Sequence, residues 1–109
     1  MVDIVIPESV VNIGYSAFQN TNLVTVNSLG NIKIIPSQLF EGCHKLTSVT
    51  IPNSVKSIDD AAFYYCDGLT SITIPSDVTS IGNSAFRLCS KLKTVYNYSS
   101  LNLVKGSTD

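Results

Sequence analysis

Two consecutive stretches of the chain read LTSVTIPNSVKSIDDAAFYYCDG (residues 46–68) and LTSITIPSDVTSIGNSAFRLCSK (residues 69–91), and they differ mostly at polar positions. More diverged copies occupy residues 1–22 and 23–45, and a partial copy with a closing segment occupies residues 92–109. The period of 22 or 23 residues is carried by leucines and phenylalanines, which are Leu23, Leu46, Leu69, Leu92, Phe18, Phe40, Phe63 and Phe86. We therefore interpret residues 1–109 as a single domain built from an internal repeat.

Eight positions of each repeat carry apolar side chains, and in residues 46–68 they are Leu46, Val49, Ile51, Val55, Ile58, Ala62, Phe63 and Cys66. Over four repeats, with the first taken to lack the cysteine, 30 of 31 such positions are apolar and Ser28 is the exception. A hydrophobic content of 44% would give about fourteen by chance. Because a loop of this length cannot enclose a core alone, successive copies must stack. The pattern predicts rows of equivalent side chains, with the four phenylalanines in one row.

Each repeat begins with a segment that favours a short β-strand. In residues 46–51, apolar and hydroxyl side chains alternate and several are β-branched. Prolines, which cannot donate to a ladder, follow and end this segment at Pro7, Pro52 and Pro75. An extended crossing comes next, and the helix-capping residue types Asp60 and Asn83 then predict a short helical or 3₁₀ turn at about 60–66 and 83–89.

The charge balance excludes several classes of partner. Seven Lys and Arg residues stand against eight Asp and Glu residues, so the net charge is −1 and no basic excess is present to neutralise nucleic-acid phosphates or anionic lipids. Residues 1–7 lack the pattern of a signal peptide, and no apolar run of about 18 residues could span a bilayer. We expect neither nucleic-acid binding nor membrane insertion.

Three cysteines recur at one position of the repeat and should form a row facing the core. They are Cys43, Cys66 and Cys89, which we interpret as small buried hydrophobes with inert thiols. A disulfide between two neighbours is feasible in distance, but it would leave the third cysteine free. Since the sequence has no Cys-x-x-Cys motif and no Cys/His cluster, we expect no metal and no cofactor.

No group of residues in the sequence indicates catalysis. His44, the only histidine, follows Cys43, but side chains at consecutive turn positions diverge, and a thiol nucleophile needs a base within hydrogen-bond reach. Asp59 and Asp60 are adjacent at a turn, which favours a capping residue and a solvated neighbour over an acid–base pair. We therefore predict that the chain is not an enzyme.

The alternation within the strands places one set of side chains on an exposed face, which is rich in hydroxyls and nearly uncharged. Besides Asp3 and Val5 at one end, the candidate contact residues are Thr25, Asn27, Ser48, Thr50, Ser71, Thr73, Thr94 and Tyr96. Such a face can bind a partner through hydrogen bonds, but it also suits a solvated strand for β-propensity alone. Tyr64 and Tyr65 follow the core residue Phe63, and at least one of them must face outward, as a contact residue or as a shield of the convex turn.

The stretch LTSVTIPNSVKSIDDAAFYYCDGLTSITIP resembles the BspA-like branch of the leucine-rich repeats, whose units share the framework L-x-x-V-x-I-P, V-x-x-I, A-F and C-x-x-L. The resemblance covers residues 1–96. It implies a right-handed leucine-rich solenoid of strands and short helical turns, with one short parallel strand per repeat. It further implies a microbial cell-surface or secreted protein that adheres to host macromolecules or neighbouring cells. We expect a non-catalytic binding segment that uses the exposed strand face. The alternative is a structural spacer rod that presents another domain and has no ligand of its own.

Two further features of the repeat array carry expectations. Repeat 23–45 departs from the framework at Ser28, Leu29 and Pro36, so we expect an irregular strand end and crossing there. Met1 occupies the first core position with nothing before it to cover Ile4, which suggests a segment of a longer array. Uncapped ends of this kind predict end-to-end self-association.

Overall fold

The computed structural model describes the backbone of residues 2–101 and the side chains of residues 3–101. Four coils, at residues 2–22, 23–45, 46–68 and 69–91, stack into a solenoid and are followed by a final strand. The strands of this part are β1 (Val2–Ile6), β2 (Leu23–Leu29), β3 (Ile34–Ile35), β4 (Ser48–Val49), β5 (Ser57–Ile58), β6 (Ser71–Ile74), β7 (Ser80–Ile81) and β8 (Thr94–Asn97).

The strands form two rows of parallel pairs. The predicted row, with one strand at the start of each repeat, is confirmed as β1-β2-β4 and β6-β8. A second row, β3-β5-β7, lies in the crossing segments, where the sequence indicated only extended chain. No ladder joins β4 to β6 in residues 2–101, so the first row consists of two blocks. The repeat therefore folds as predicted, with one more row of strands than expected.

The prediction of short helical turns at 60–66 and 83–89 is wrong. These segments are runs of tight turns, and residues 2–101 contain no helix. Two residues four positions apart have a positive φ in each segment, Ala61 (58°) and Tyr65 (62°) in the first and Ser84 (59°) and Leu88 (62°) in the second. The N–H groups of Ala61, Phe63 and Tyr65 donate to carbonyls of the next coil at 2.8–3.0 Å, so they cannot donate to a residue four positions back. Hydrogen bonding between coils thus replaces hydrogen bonding within a helix.

The core is built from the predicted rows. The phenylalanine rings stack from coil to coil, with centroids 5.8, 5.4 and 5.1 Å apart between Phe18, Phe40, Phe63 and Phe86. Phe40 and Phe63 are fully buried, whereas Phe18 and Phe86 pack against the core while partly exposed. This arrangement confirms that equivalent side chains of successive repeats form the interior.

The irregular strand end expected in the second coil is present. The pairing of β1 with β2 shifts register twice, and Ile6 lies opposite Leu29 rather than Ser28. Leu29 is fully buried, and the Ser28 hydroxyl donates to the carbonyl of Ile6 at 2.9 Å. A shift of one residue thus moves an apolar side chain into the core position that Ser28 left unfilled.

The irregular crossing expected at Pro36 is also present. In coils three and four, the N–H groups of Asp59 and Gly82 donate to the carbonyls of Ile35 and Ile58, at 2.9 and 2.7 Å. Pro36 holds the same position in coil two and has no N–H to donate. β3 is the edge strand of its row, and the crossing of coil one does not pair with it.

Candidate functional site

The exposed strand face is arranged in register along the solenoid. Thr25 pairs with Ser48, Ser71 with Thr94, and Thr73 with Tyr96 across neighbouring strands. Thr25 and Ser71 are partly buried, and the other predicted contact residues, Asn27, Ser48, Thr50, Thr73, Thr94 and Tyr96, are exposed. The structure therefore brings six of the predicted residues together as pairs, in two blocks that meet between β4 and β6, whereas Asn27 is skipped at a register shift in the pairing of β1 with β2.

The chemistry of the strand face is that of neutral donors and acceptors. At one edge, the Thr25 hydroxyl donates a hydrogen bond to the Asp3 carboxylate, so these two groups are already paired with each other. Tyr96 lies at the opposite end and is 53% exposed. Each hydroxyl can donate one hydrogen bond and accept two, so the face offers many weak polar contacts. It suits a partner that covers several coils at once.

The cysteine row is buried and makes one repeated contact. The Sγ atoms of Cys43, Cys66 and Cys89 donate to the carbonyls of Phe18, Phe40 and Phe63 in the preceding coil, at 3.1, 3.0 and 3.1 Å. Burial raises the pKa of all three thiols, that of Cys89 to about 11. Because the thiolate is the nucleophile, the row is chemically inert at neutral pH, in agreement with the sequence interpretation.

Coil one has a residue in the cysteine position after all. Thr21, like each cysteine, lies three residues after the core phenylalanine, and its hydroxyl donates to the Phe18 carbonyl at 2.9 Å. Thr21 Oγ1 also lies 3.4 Å from Cys43 Sγ. The view that the first repeat lacks this position is therefore wrong. The first repeat is one residue shorter than the others, and the missing residue lies after Thr21. A search for polar as well as apolar residues after Phe18 would have found Thr21.

His44 faces away from the thiol that precedes it in sequence. Its Nδ1 lies 2.9 Å from Asp67 Oδ1, and its ring meets the ring of Tyr65 edge-on with centroids 4.7 Å apart. The hydrogen bond from His44 is the main reason that the pKa of Asp67 lies below its ordinary value, and Lys91 adds a smaller effect. The cluster is exposed and holds two coils together, and His44 does not form a Cys/His pair with Cys43.

The adjacent carboxylates Asp59 and Asp60 have separate structural roles. Asp60 Oδ1 accepts the N–H of Asn83 from the next coil at 2.8 Å, and Asp59 Oδ1 accepts the hydroxyl of Ser57 at 3.4 Å. Because the turn is not a helix, the expected capping role is replaced by a contact between coils. Residues 2–101 contain no cluster of metal-binding side chains and no helix that could cross a membrane.

Sequence reasoning missed a groove between the crossings of coils one and two. It encloses about 320 Å³ and lies where Pro36 leaves the ladder open. Val11, Ile13 and Tyr15 line it from coil one, Lys33 and Ile34 from coil two, and Asp59 from coil three. The signal in the sequence is that Val11, Tyr15 and Ile34 replace residues that are polar in coils three and four.

The sequence matches a family model described as a BspA type leucine rich repeat region, in six copies, over residues 1–108. Among solved structures, a leucine-rich repeat protein from Bacteroides capillosus has 28% sequence identity and a TM-score of 0.73. That match covers 87% of this chain and 75% of the other. No curated protein matches the chain.

Two longer solved proteins share the fold. A leucine rich cell surface protein from Faecalibacterium prausnitzii is 24% identical, with a TM-score of 0.61 over 92% of this chain and 40% of the other. A leucine-rich repeat protein from Eubacterium ventriosum is 27% identical, with a TM-score of 0.58 over 95% of this chain and 32% of the other. The chain thus spans less than half the length of these two bacterial proteins.

Proposed function

The chain belongs to the BspA-type leucine-rich repeat family, and from that premise we propose that it is a protein-binding or adhesion segment of a bacterial cell-surface or secreted protein. The repeat fold and the family give it a protein-interaction or structural role, and proteins of this class are typically non-catalytic. The finer proposal is that the strand face makes the contact. A fold relative is itself called a cell surface protein, which supports the surface location.

The observation that carries the proposal is the register of the residues on the strand face. Thr73 and Tyr96 are paired across β6 and β8, and Thr25 and Ser48 across β2 and β4, so neighbouring coils offer equivalent groups side by side. One hydroxyl adds little to binding, but several coils acting together give avidity. A spacer rod, which is the alternative role, would have the same core but would bind no partner through this face.

The test compares charged substitutions on the strand face with matched substitutions elsewhere. The double variant Thr50→Arg and Thr73→Arg places two bulky cations on the face, and Asn53→Arg with Ser90→Arg places two on exposed turns. Both variants should keep the thermal midpoint, since all four positions are exposed. Binding is measured by surface plasmon resonance against a panel of purified extracellular-matrix and serum proteins.

The binding proposal predicts that at least one panel protein binds the unmodified chain and the turn variant, and that the strand-face variant loses this binding. Equal binding by both variants would place the contact elsewhere. Absence of binding to the whole panel favours the spacer role over the adhesion role.

A further inference from the structure

We propose that the groove between coils one and two binds a peptide segment of a partner protein, in which a large apolar side chain stands next to an acidic residue. This is a second surface, separate from the strand face, because it lies beside the edge of the row β3-β5-β7. The proposal does not depend on whether the strand face binds a partner.

The first argument is the placement of apolar side chains where the repeat otherwise has polar ones. Val11, Tyr15 and Ile34 are 53, 76 and 49% exposed. Aligned on the core phenylalanines, the same positions in coil three are Lys56, Asp60 and Ser57. Three positions that are polar in coil three thus carry exposed apolar side chains around this opening. Grouped exposed apolar side chains are typical of interaction sites.

The second argument is that the opening leaves backbone hydrogen-bonding groups available. In the regular coils, the N–H of Lys56 donates to Lys33 and that of Thr79 donates to Lys56, at 2.7 and 2.8 Å. The corresponding bond from Lys33 to Val11 is not formed in the described structure, although Asn31 donates to Val10 just before it. An extended peptide is a natural occupant, because its own N–H and C=O groups can pair with such a segment.

The third argument is charge. Lys33 lines the groove, and no carboxylate of residues 3–101 lies within ion-pair distance of it. A partner carboxylate can therefore pair with Lys33 without displacing another group. Asp59, on the coil-three side, disfavours a second acidic residue there. The volume of about 320 Å³ is near the lower limit for ligand sites, roughly 300–1,000 Å³, and suits one large side chain.

The test titrates a ¹⁵N-labelled chain with the blocked tetrapeptide acetyl-Gly-Glu-Phe-Gly-amide and follows amide chemical shifts. Two control peptides replace Glu by Lys or Phe by Ala. We expect weak binding, with shifts confined to residues 11–15 and 33–37 and with lower affinity for both controls. Shifts spread over many surfaces, or equal affinity for the Ala peptide, would overturn the proposal. Shifts confined to the strand face would also overturn it while supporting that other surface.

Matched variants then separate the groove from a general charge effect. Lys33→Glu should lower affinity for the Glu peptide by roughly threefold or more and favour the Lys peptide. Lys56→Glu, at the same repeat position one coil later, should leave both affinities unchanged. Ile34→Ser, which introduces the residue type found at position 57, should weaken binding by roughly threefold to tenfold. If both lysine variants weaken binding equally, or if Ile34→Ser has no effect, the groove is not the site.

Discussion

The Sγ of Cys66 lies 3.0 Å from the carbonyl oxygen of Phe40, one coil earlier, and Cys89 repeats this contact with Phe63 at 3.1 Å. The thiol of each coil is therefore a hydrogen-bond donor in its protonated state. These contacts join the buried cysteine side chains to the backbone carbonyls of the phenylalanine row in the preceding coil. The cysteines contribute to stability through neutral thiols, which makes their contribution dependent on pH.

The first prediction concerns alkaline pH. Burial raises the pKa of Cys89 from its ordinary 9.0 to about 11, so the unfolded chain loses this proton at a lower pH than the folded chain. The stabilising effect is complete below about pH 9 and is lost as the pH rises to about 11. Urea unfolding at several pH values should show the free energy of unfolding falling across this range. In Cys89→Ala the fall should be less steep, and an unchanged slope would contradict the assignment.

The second prediction concerns the phenylalanine row. Phe63 is fully buried and stacks on both neighbours, at 5.4 and 5.1 Å. Phe63→Ala should lower the free energy of unfolding by about 3–5 kcal/mol, through lost burial and the cavity that remains. Phe86→Ala should cost less, because Phe86 is partly exposed and has one phenylalanine neighbour in the described part of the chain. Urea denaturation measures both, and equal costs would contradict the packing described here.

The core and the first strand row were predictable because they depend on the spacing of apolar residues. The register of Thr73 with Tyr96 and the stacking of Phe40 on Phe63 both follow from the 23-residue period. The turn conformation was not predictable from residue type. Asp60 and Asn83 favour tight turns as much as helix starts. The choice is made by backbone hydrogen bonds to residues of the adjacent coil, which lie 22 residues away in sequence.

The groove was predictable in part. Pro36 indicated an irregular crossing, since proline has no N–H to donate. The sequence did not indicate that the crossing of coil one would form no ladder with residues 33–36 of coil two, because that depends on the geometry of both coils. Of the strand-face residues, Thr25 with Ser48, Ser71 with Thr94 and Thr73 with Tyr96 are paired across neighbouring strands, and the use of this face in binding stays a prediction.

The third prediction concerns two glycines in different environments. Gly30 has a φ of +72°, and a Cβ there would lie 2.7 Å from the carbonyl oxygens of Pro7 and Val10. Gly30→Ala should destabilise the fold by about 2 kcal/mol or more, because the left-handed backbone and both contacts are unfavourable. Gly14→Ala is the matched control, since a Cβ there meets nothing within 4 Å. It should be neutral or stabilise by up to about 1 kcal/mol. Thermal unfolding of both variants tests this difference in stability, and similar thermal midpoints would contradict the prediction.

The last prediction tests why the groove exists. If the missing N–H of Pro36 keeps the ladder open, Pro36→Ala restores a donor opposite the carbonyl of Ile13, as Asp59 has opposite Ile35. The new amide at position 36 should then exchange slowly with solvent, at a rate comparable to that of Asp59. The amide of Lys33 should become protected as well, because closure brings the two crossings to ladder distance.

Hydrogen exchange followed by NMR measures these rates. The amides of Asp59 and Gly82, which are already bonded, serve as internal references in the same sample. Rapid exchange at position 36 beside slow exchange at Asp59 would show that the residues of coil one, rather than the proline, hold the groove open.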